Sequence, residues 1–313
     1  MVDLKLKLPD GFLEEEVRCD YTVPKEMKEA WAVMLDLIQE LLRVCEKHKL
    51  KVYAAEGTLL GAVRHKGFIP WDDDVDMSMF RADYEKLLAL GPSEFKDPYF
   101  LQTEFSDPGY MCGHAKLRNS ATTGIHKNFL GKYSFNQGIY IDIFPMDKVT
   151  PDERKFKRQI RKASMWRLLA FALADLSTRP QLQGPREGIW RHIAYALYPL
   201  VHKPVTKAML STKAYKKFDD CCQLYEGEET EIVSKLMFRL EDESLRNHIS
   251  DFGETVYLPF ENLILPCPSG YERILTERYG NWHEFVRDSS CHDRMFFDTD
   301  KSYTGYIPRK KKS

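Results

Sequence analysis

No run of about 18 apolar residues interrupts the 313-residue sequence, so nothing in it reads as a helix that crosses a bilayer. A charge imbalance is missing too: 46 Lys and Arg stand against 47 Asp and Glu, a formal net charge of −1, which removes the global signature of a nucleic-acid binder. Any electrostatic recognition has to be local. The seven cysteines, at 19, 45, 112, 221, 222, 267 and 291, form neither an even framework nor a Cys-x-x-Cys pair, which argues against a disulfide scaffold and a zinc knuckle. The opening MVDLKLKLPDGF lacks the apolar core of a secretory signal, and a reducing, cytoplasmic setting is the expectation. No internal repeat is present. The short aromatic run 189–201, flanked by Arg191, His192, His202 and Lys203, reads as a buried helix ending near Pro199, with a peripheral contact at the inner face of a membrane as the alternative.

What is there is 43% hydrophobic and 30% charged, enough for a large core. Apolar residues at helical spacing over 24–49, among them Trp31, Leu35, Ile38 and Leu41, predict a long amphipathic helix that packs. Residues 51–55 read as a strand, Gly57 as a turn, and 58–63 as the start of a helix whose free backbone N–H groups face an anion. A helix follows over 82–90, stopped by Gly91 and Pro92, then strands over 99–105, 112–118 and 138–144. The pattern predicts an α+β fold with an α/β-like core: residues 1–150 as a catalytic core with a mixed sheet, 151–250 as a mostly helical region, and 251–313 as a strand-helix segment packing back on the core. The cations Arg154, Lys155, Lys157, Arg158, Arg161 and Lys162 read as one solvated helix face, and 309–312 as a basic tail.

The chemistry concentrates in EGTLLGAVRHKGFIPWDDDVDM, residues 56–77, where four carboxylates fall within the five positions 72–76. In an extended strand Asp74, Asp76 and Ser78 share one face, while Val75, Met77 and Met79 share the other. A solvated loop is the competing reading. The apolar flanks, Phe68 to Trp71 before and Met77 to Phe80 after, favour a segment that runs through the protein, where unpaired carboxylates require a cation. In GIYIDIFPMD, at 138–147, Asp142 stands alone in an apolar strand and is the strongest candidate for a third oxygen ligand to a divalent ion. Asp147, after the FPM bend, is either a supporting group or a cap. Lys116 and Arg118 alternate onto one strand face, and Arg64 lies between the glycine turn and the acids. All three are candidate phosphate contacts, with an ion pair to a nearby aspartate as the alternative for the two arginines.

These motifs, with LRN-x-x-T at 117–122 and LTERYGNW at 275–282, resemble the LicD family of phosphocholine transferases, related to the fukutin group. The resemblance covers 30–147 well and 255–295 more loosely. It implies a nucleotidyltransferase-type fold in which a Gly-Thr turn, here Gly57 and Thr58, and an Asp-x-Asp strand, here Asp74 and Asp76, hold Mg²⁺ (or Mn²⁺) with Asp142 against a nucleotide diphosphate. It further implies transfer of a phospho-alcohol such as phosphocholine from CDP-choline or a related donor to a glycan hydroxyl, releasing CMP, with teichoic acid or lipopolysaccharide as the kind of acceptor. A nucleotidyltransferase that makes a nucleotide-linked sugar or alcohol, and a non-catalytic metal- or nucleotide-binding subunit, are the alternatives. A quaternary ammonium group calls for aromatic faces; Trp71, Tyr133, Tyr140, Phe144, Tyr279 and Trp282 are available, and none is singled out. The base that takes the acceptor's proton stays open among Asp142, Asp72 and Asp73.

Overall fold

The computed structural model describes residues 1–178, 204–287 and 295–307, save positions 108, 111, 132 and 241. The run 189–201, Cys291 and the tail 309–312 therefore lie outside the described residues. A small hairpin, β1 (Glu16–Arg18) and β2 (Tyr21–Val23), leads into α1 (Lys25–His48), whose apolar stripe buries Trp31, Leu35, Ile38 and Leu41. Lys49 ends it in the left-handed region, φ 54°, returning its amide to the Cys45 and Glu46 carbonyls.

Then come β3 (Tyr53–Ala54), α2 (Glu56–Arg64), β4 (Asp76–Phe80), α3 (Arg81–Glu94), β5 (Tyr99–Gln102), β6 (Ala115–Asn119), β7 (Thr123–His126) and β8 (Ile139–Lys148). The helices α4 (Glu153–Thr178) and α5 (Pro204–Cys222) pack on each other. They are followed by β9 (Ile232–Ser234), β10 (Arg246–His248), the hairpin of β11 (Thr255–Phe260) and β12 (Leu263–Pro268), α6 (Tyr271–Tyr279) and β13 (Met295–Asp298).

The fold is α+β around a mixed seven-stranded sheet ordered β10-β9-β8-β4-β3, with β6 also on β8 and β5 on β6. β4 runs parallel to β8 and β6 antiparallel to it. One apolar core joins α1, the sheet and the late elements down to Ile274, Leu275 and Trp282; a second joins Val149, α4, α5 and Leu236 to Leu240. Among the described residues no helix is long and apolar enough to cross a membrane.

Two elements outrun their sequence signals. α3 continues through Gly91 and Pro92 to Glu94, because a proline in the last turn forfeits a single hydrogen bond and Glu94 is gripped by Lys47 at 2.7 Å and His48 at 2.8 Å on α1. β8 does not bend at Pro145. Amides along a strand point to alternate edges, and that of Asp142 reaches Val75 on the β4 side, so the missing donor of Pro145 falls on the opposite edge. There β6 ends opposite Ile143 and β9 begins opposite Asp147, and neither strand pairs with Pro145.

Candidate active site

β4 and β8 bring the acids together. In their parallel register Asp76 stands opposite Asp142, and Lys116 on β6 stands opposite Asp142 from the other side, so three strands present these side chains on one face. The α2 N-terminus clasps the same point: the Ala55 amide donates to the Asp76 carbonyl at 3.0 Å, and Thr58 Oγ1 accepts from the Asp76 amide at 2.8 Å. The left-handed residue of this turn is Glu56, φ 41°, one position before the glycine that the sequence marks as the turn. Gly57 serves close approach instead, for a Cβ there would stand 2.7 Å from Asp72 Oδ2.

Asp72, Asp73 and Asp74 each offer an oxygen within 4.8 Å of the others. Trp31, stacked on Phe68 at 4.4 Å, fixes this loop by donating Nε1–H to the Asp72 carbonyl at 3.0 Å, which gives the α1 stripe a second task. Asp74 and Asp76 keep some contact with solvent, yet burial first, and then the crowding of neighbouring carboxylates, pushes both well above the usual carboxylate range. Asp142 goes the other way. Burial opposes its charge, but Lys116 Nζ at 2.6 Å and His114 Nε2 at 2.7 Å both donate to its Oδ1 and hold it well below that range. An oxygen-rich, mutually repelling carboxylate set fits a hard divalent cation, and the donor chemistry is that of Mg²⁺ rather than a soft metal.

The other sequence candidates divide. Lys116 belongs to the cluster. Arg118 shares its face, both cations lying over the Tyr140 ring at 3.4 and 4.7 Å, but it is buried and directed to Gln102 Oε1 and, at 2.6 Å, to the Gly138 carbonyl. Arg64 is not brought to the acids; it donates to the carbonyls of Trp282 at 2.7 Å and Glu284 at 2.9 Å, bracing the chain after α6. Among the described residues no ion pair joins Arg64 or Arg118 to Asp74, Asp76 or Asp142. Asp147 is fully buried and answers Arg81 at 2.6 Å, a supporting ion pair rather than a cap. Of the aromatic candidates, Tyr279 lies within electrostatic reach of Asp76 and Asp72, whereas Phe144 is buried against His114 and Phe238.

Sequence reasoning missed four participants. His114 lies one residue before β6 and shares the parity of Lys116 and Arg118 in the strand read over 112–118, but it was not singled out. Burial disfavours its charge, but Cys112 and Asp142 raise it to about 9. Glu56 opens the acidic motif and is bonded by Lys235 Nζ at 2.5 Å and Arg278 Nε at 2.7 Å; these cations outweigh its burial and hold it below the usual range. Arg278 was visible inside LTERYGNW, whereas Lys235 carries no local signal.

A mixed sheet that sets carboxylates of neighbouring parallel strands at the start of a Gly-Thr helix defines a phosphotransferase of the nucleotidyltransferase type. Residues 49–180 match the family model described as LicD/FKTN/FKRP, nucleotidyltransferase domain. The chain is 26% identical over 261 residues, 82% of this chain and 91% of the relative, to the lipopolysaccharide cholinephosphotransferase LicD of Haemophilus influenzae. Uncharacterized proteins of Rickettsia prowazekii and Rickettsia typhi are 29% and 31% identical over 115 and 84 residues, 37% and 27% of this chain. The matches cover 39% and 24% of those two proteins.

Proposed function

We propose that the protein transfers a phospho-alcohol, with phosphocholine the favoured group, from a CDP-linked donor to a hydroxyl of a cell-surface glycan or its precursor, at the cytoplasmic side. The observation that carries this reading is the register that sets Asp76 against Asp142 beside the carboxylates of 72–74. Asp74, Asp76 and Asp142 would hold Mg²⁺; Asp74 also stands with Asp72 and Asp73 in the carboxylate trio whose oxygens converge among the described residues. Bound there, the ion neutralises charge on the phosphoryl oxygens and the departing CMP.

The chain's own groups do the rest. The α2 N-terminus offers backbone donors to phosphate at Gly57 and Thr58. Lys116 adds a fixed positive charge and, with His114, orients Asp142 through a single oxygen. The acceptor oxygen forms the new bond to the phosphorus that bears the alcohol, the bond from that phosphorus to CMP breaks, and the hydroxyl proton passes to the acidic cluster. Tyr279, within electrostatic reach of Asp76 and Asp72, and Tyr140, within reach of Asp142 and Asp74, are the aromatic candidates to meet a quaternary ammonium.

Incubation with CDP-choline, Mg²⁺ and a lipooligosaccharide acceptor tests the reading by CMP release matched to choline incorporation. Pyrophosphate release from CTP, with no CMP from CDP-choline, would assign the site to nucleotide transfer instead.

A further inference from the structure

α4 turns one face inward and another outward. Phe156, Ile160, Ala163 and Ala170 are buried in the second core, and the arc opposite them holds Arg154, Arg158, Arg161 and Lys162, then Met165, Leu168 and Leu169. At 100° per residue these seven lie on one stripe, basic along its first half and apolar along its second. The apolar half is open: Met165 is 57%, Leu168 73% and Leu169 43% exposed. The basic half is not neutralised, for among the described residues the four cations pair with no carboxylate, and Glu153 of the same helix turns to Arg246 at 2.8 Å.

We propose that this stripe docks α4 on an anionic bilayer surface, the cations meeting lipid phosphates and Met165, Leu168 and Leu169 entering the interface below them. A solvated face accounts for the cations but not for three large apolar side chains continuing the same line. A protein-binding face accounts for the apolar half but leaves four like charges without a stated partner. Phosphate headgroups above acyl chains match both halves in the order in which the helix presents them. The proposal is independent of the transfer reaction, since its readout is lipid binding.

The test is flotation of the full chain with vesicles of phosphatidylcholine containing about 30% phosphatidylglycerol, and with phosphatidylcholine alone, at about 0.1 and 0.5 M NaCl. Flotation with the anionic vesicles, weakened by salt and by omitting phosphatidylglycerol, is expected. R158E/R161E should lower the partition constant about tenfold or more. L168Q/L169Q should lower it comparably while leaving the melting temperature unchanged. No flotation, or equal flotation with neutral vesicles, overturns the proposal. So does L168Q/L169Q that floats unimpaired, melts several degrees lower, or shifts an oligomer to monomer, because the stripe would then be idle or covered by the chain itself or by a second copy.

Discussion

Asp142 carries two cations on one oxygen, and that asymmetry organises the candidate site. In the proposed reading, with Oδ1 taken by His114 and Lys116, Oδ2 is the atom that would meet a cation shared with Asp76. Asp76→Asn should reduce turnover by about 10³-fold or more while leaving the melting temperature equal or higher, since a repelling charge is removed without a cavity. Turnover within tenfold of the parent would remove Asp76 from the mechanism. His114→Gln should lower kcat with a smaller effect on donor KM, because it loosens the orientation of Asp142 rather than a donor contact; an effect confined to KM would contradict that role. Asp76 and Asp142 were legible because acids in apolar strands are conspicuous. Lys235 and His114 were not, because they become neighbours of Glu56 and Asp142 only through pairing between distant segments.

At the scale of elements, the LRN-x-x-T motif proves to be a corner. Thr122 Oγ1 donates to the Asn119 carbonyl at 2.8 Å and accepts from the Ile139 amide at 3.0 Å, tying the exit of β6 to the entry of β8. Gly138 is required beside it, since a Cβ would meet the Asn119 carbonyl oxygen at 2.0 Å. The motif thus ties together β6 and β8, the strands that carry Lys116 and Asp142. Arg81, at the start of α3, reaches Asp147 on β8 and Asp219 on α5. Arg81→Met should destabilise by about 3 kcal/mol, because it strands Asp147 without a counter-charge; urea unfolding with an unchanged midpoint would show the pair to be dispensable. Strand and helix positions were largely readable from periodicity. The ends of α3 and β8 were not, because proline breaks an element only where its missing donor is needed.

Across the molecule, the proposed cation binding would be linked to folding. Mg²⁺ at about 100 times its Kd should stabilise the protein by about 2.7 kcal/mol, seen as a higher melting temperature that Asp76→Asn abolishes; a shift that survives the substitution places the ion elsewhere. A second link is to pH. Glu104, just past β5, is raised to about 7, chiefly by burial, and accepts from Thr212 Oγ1 on α5 at 3.0 Å. Its folded value exceeds the unfolded one, so its stabilising contribution is complete below about pH 4.5 and is lost as pH rises through about 7. Glu104→Gln should flatten the decline in melting temperature between about pH 5 and 8, and an unaltered slope would exclude this group.

β8 belongs to both cores: Ile139, Ile141, Ile143 and Met146 lie in the first, and Val149, one residue past its end, lies in the second. A single girder running through two masses leaves no pivot between them, since swinging one against the other would rupture ladder bonds to β4 and β9 together. Spin labels on α1 and α4 should therefore report one unchanged separation with and without Mg²⁺ and CDP-choline, and any gating of this enzyme falls to its loops.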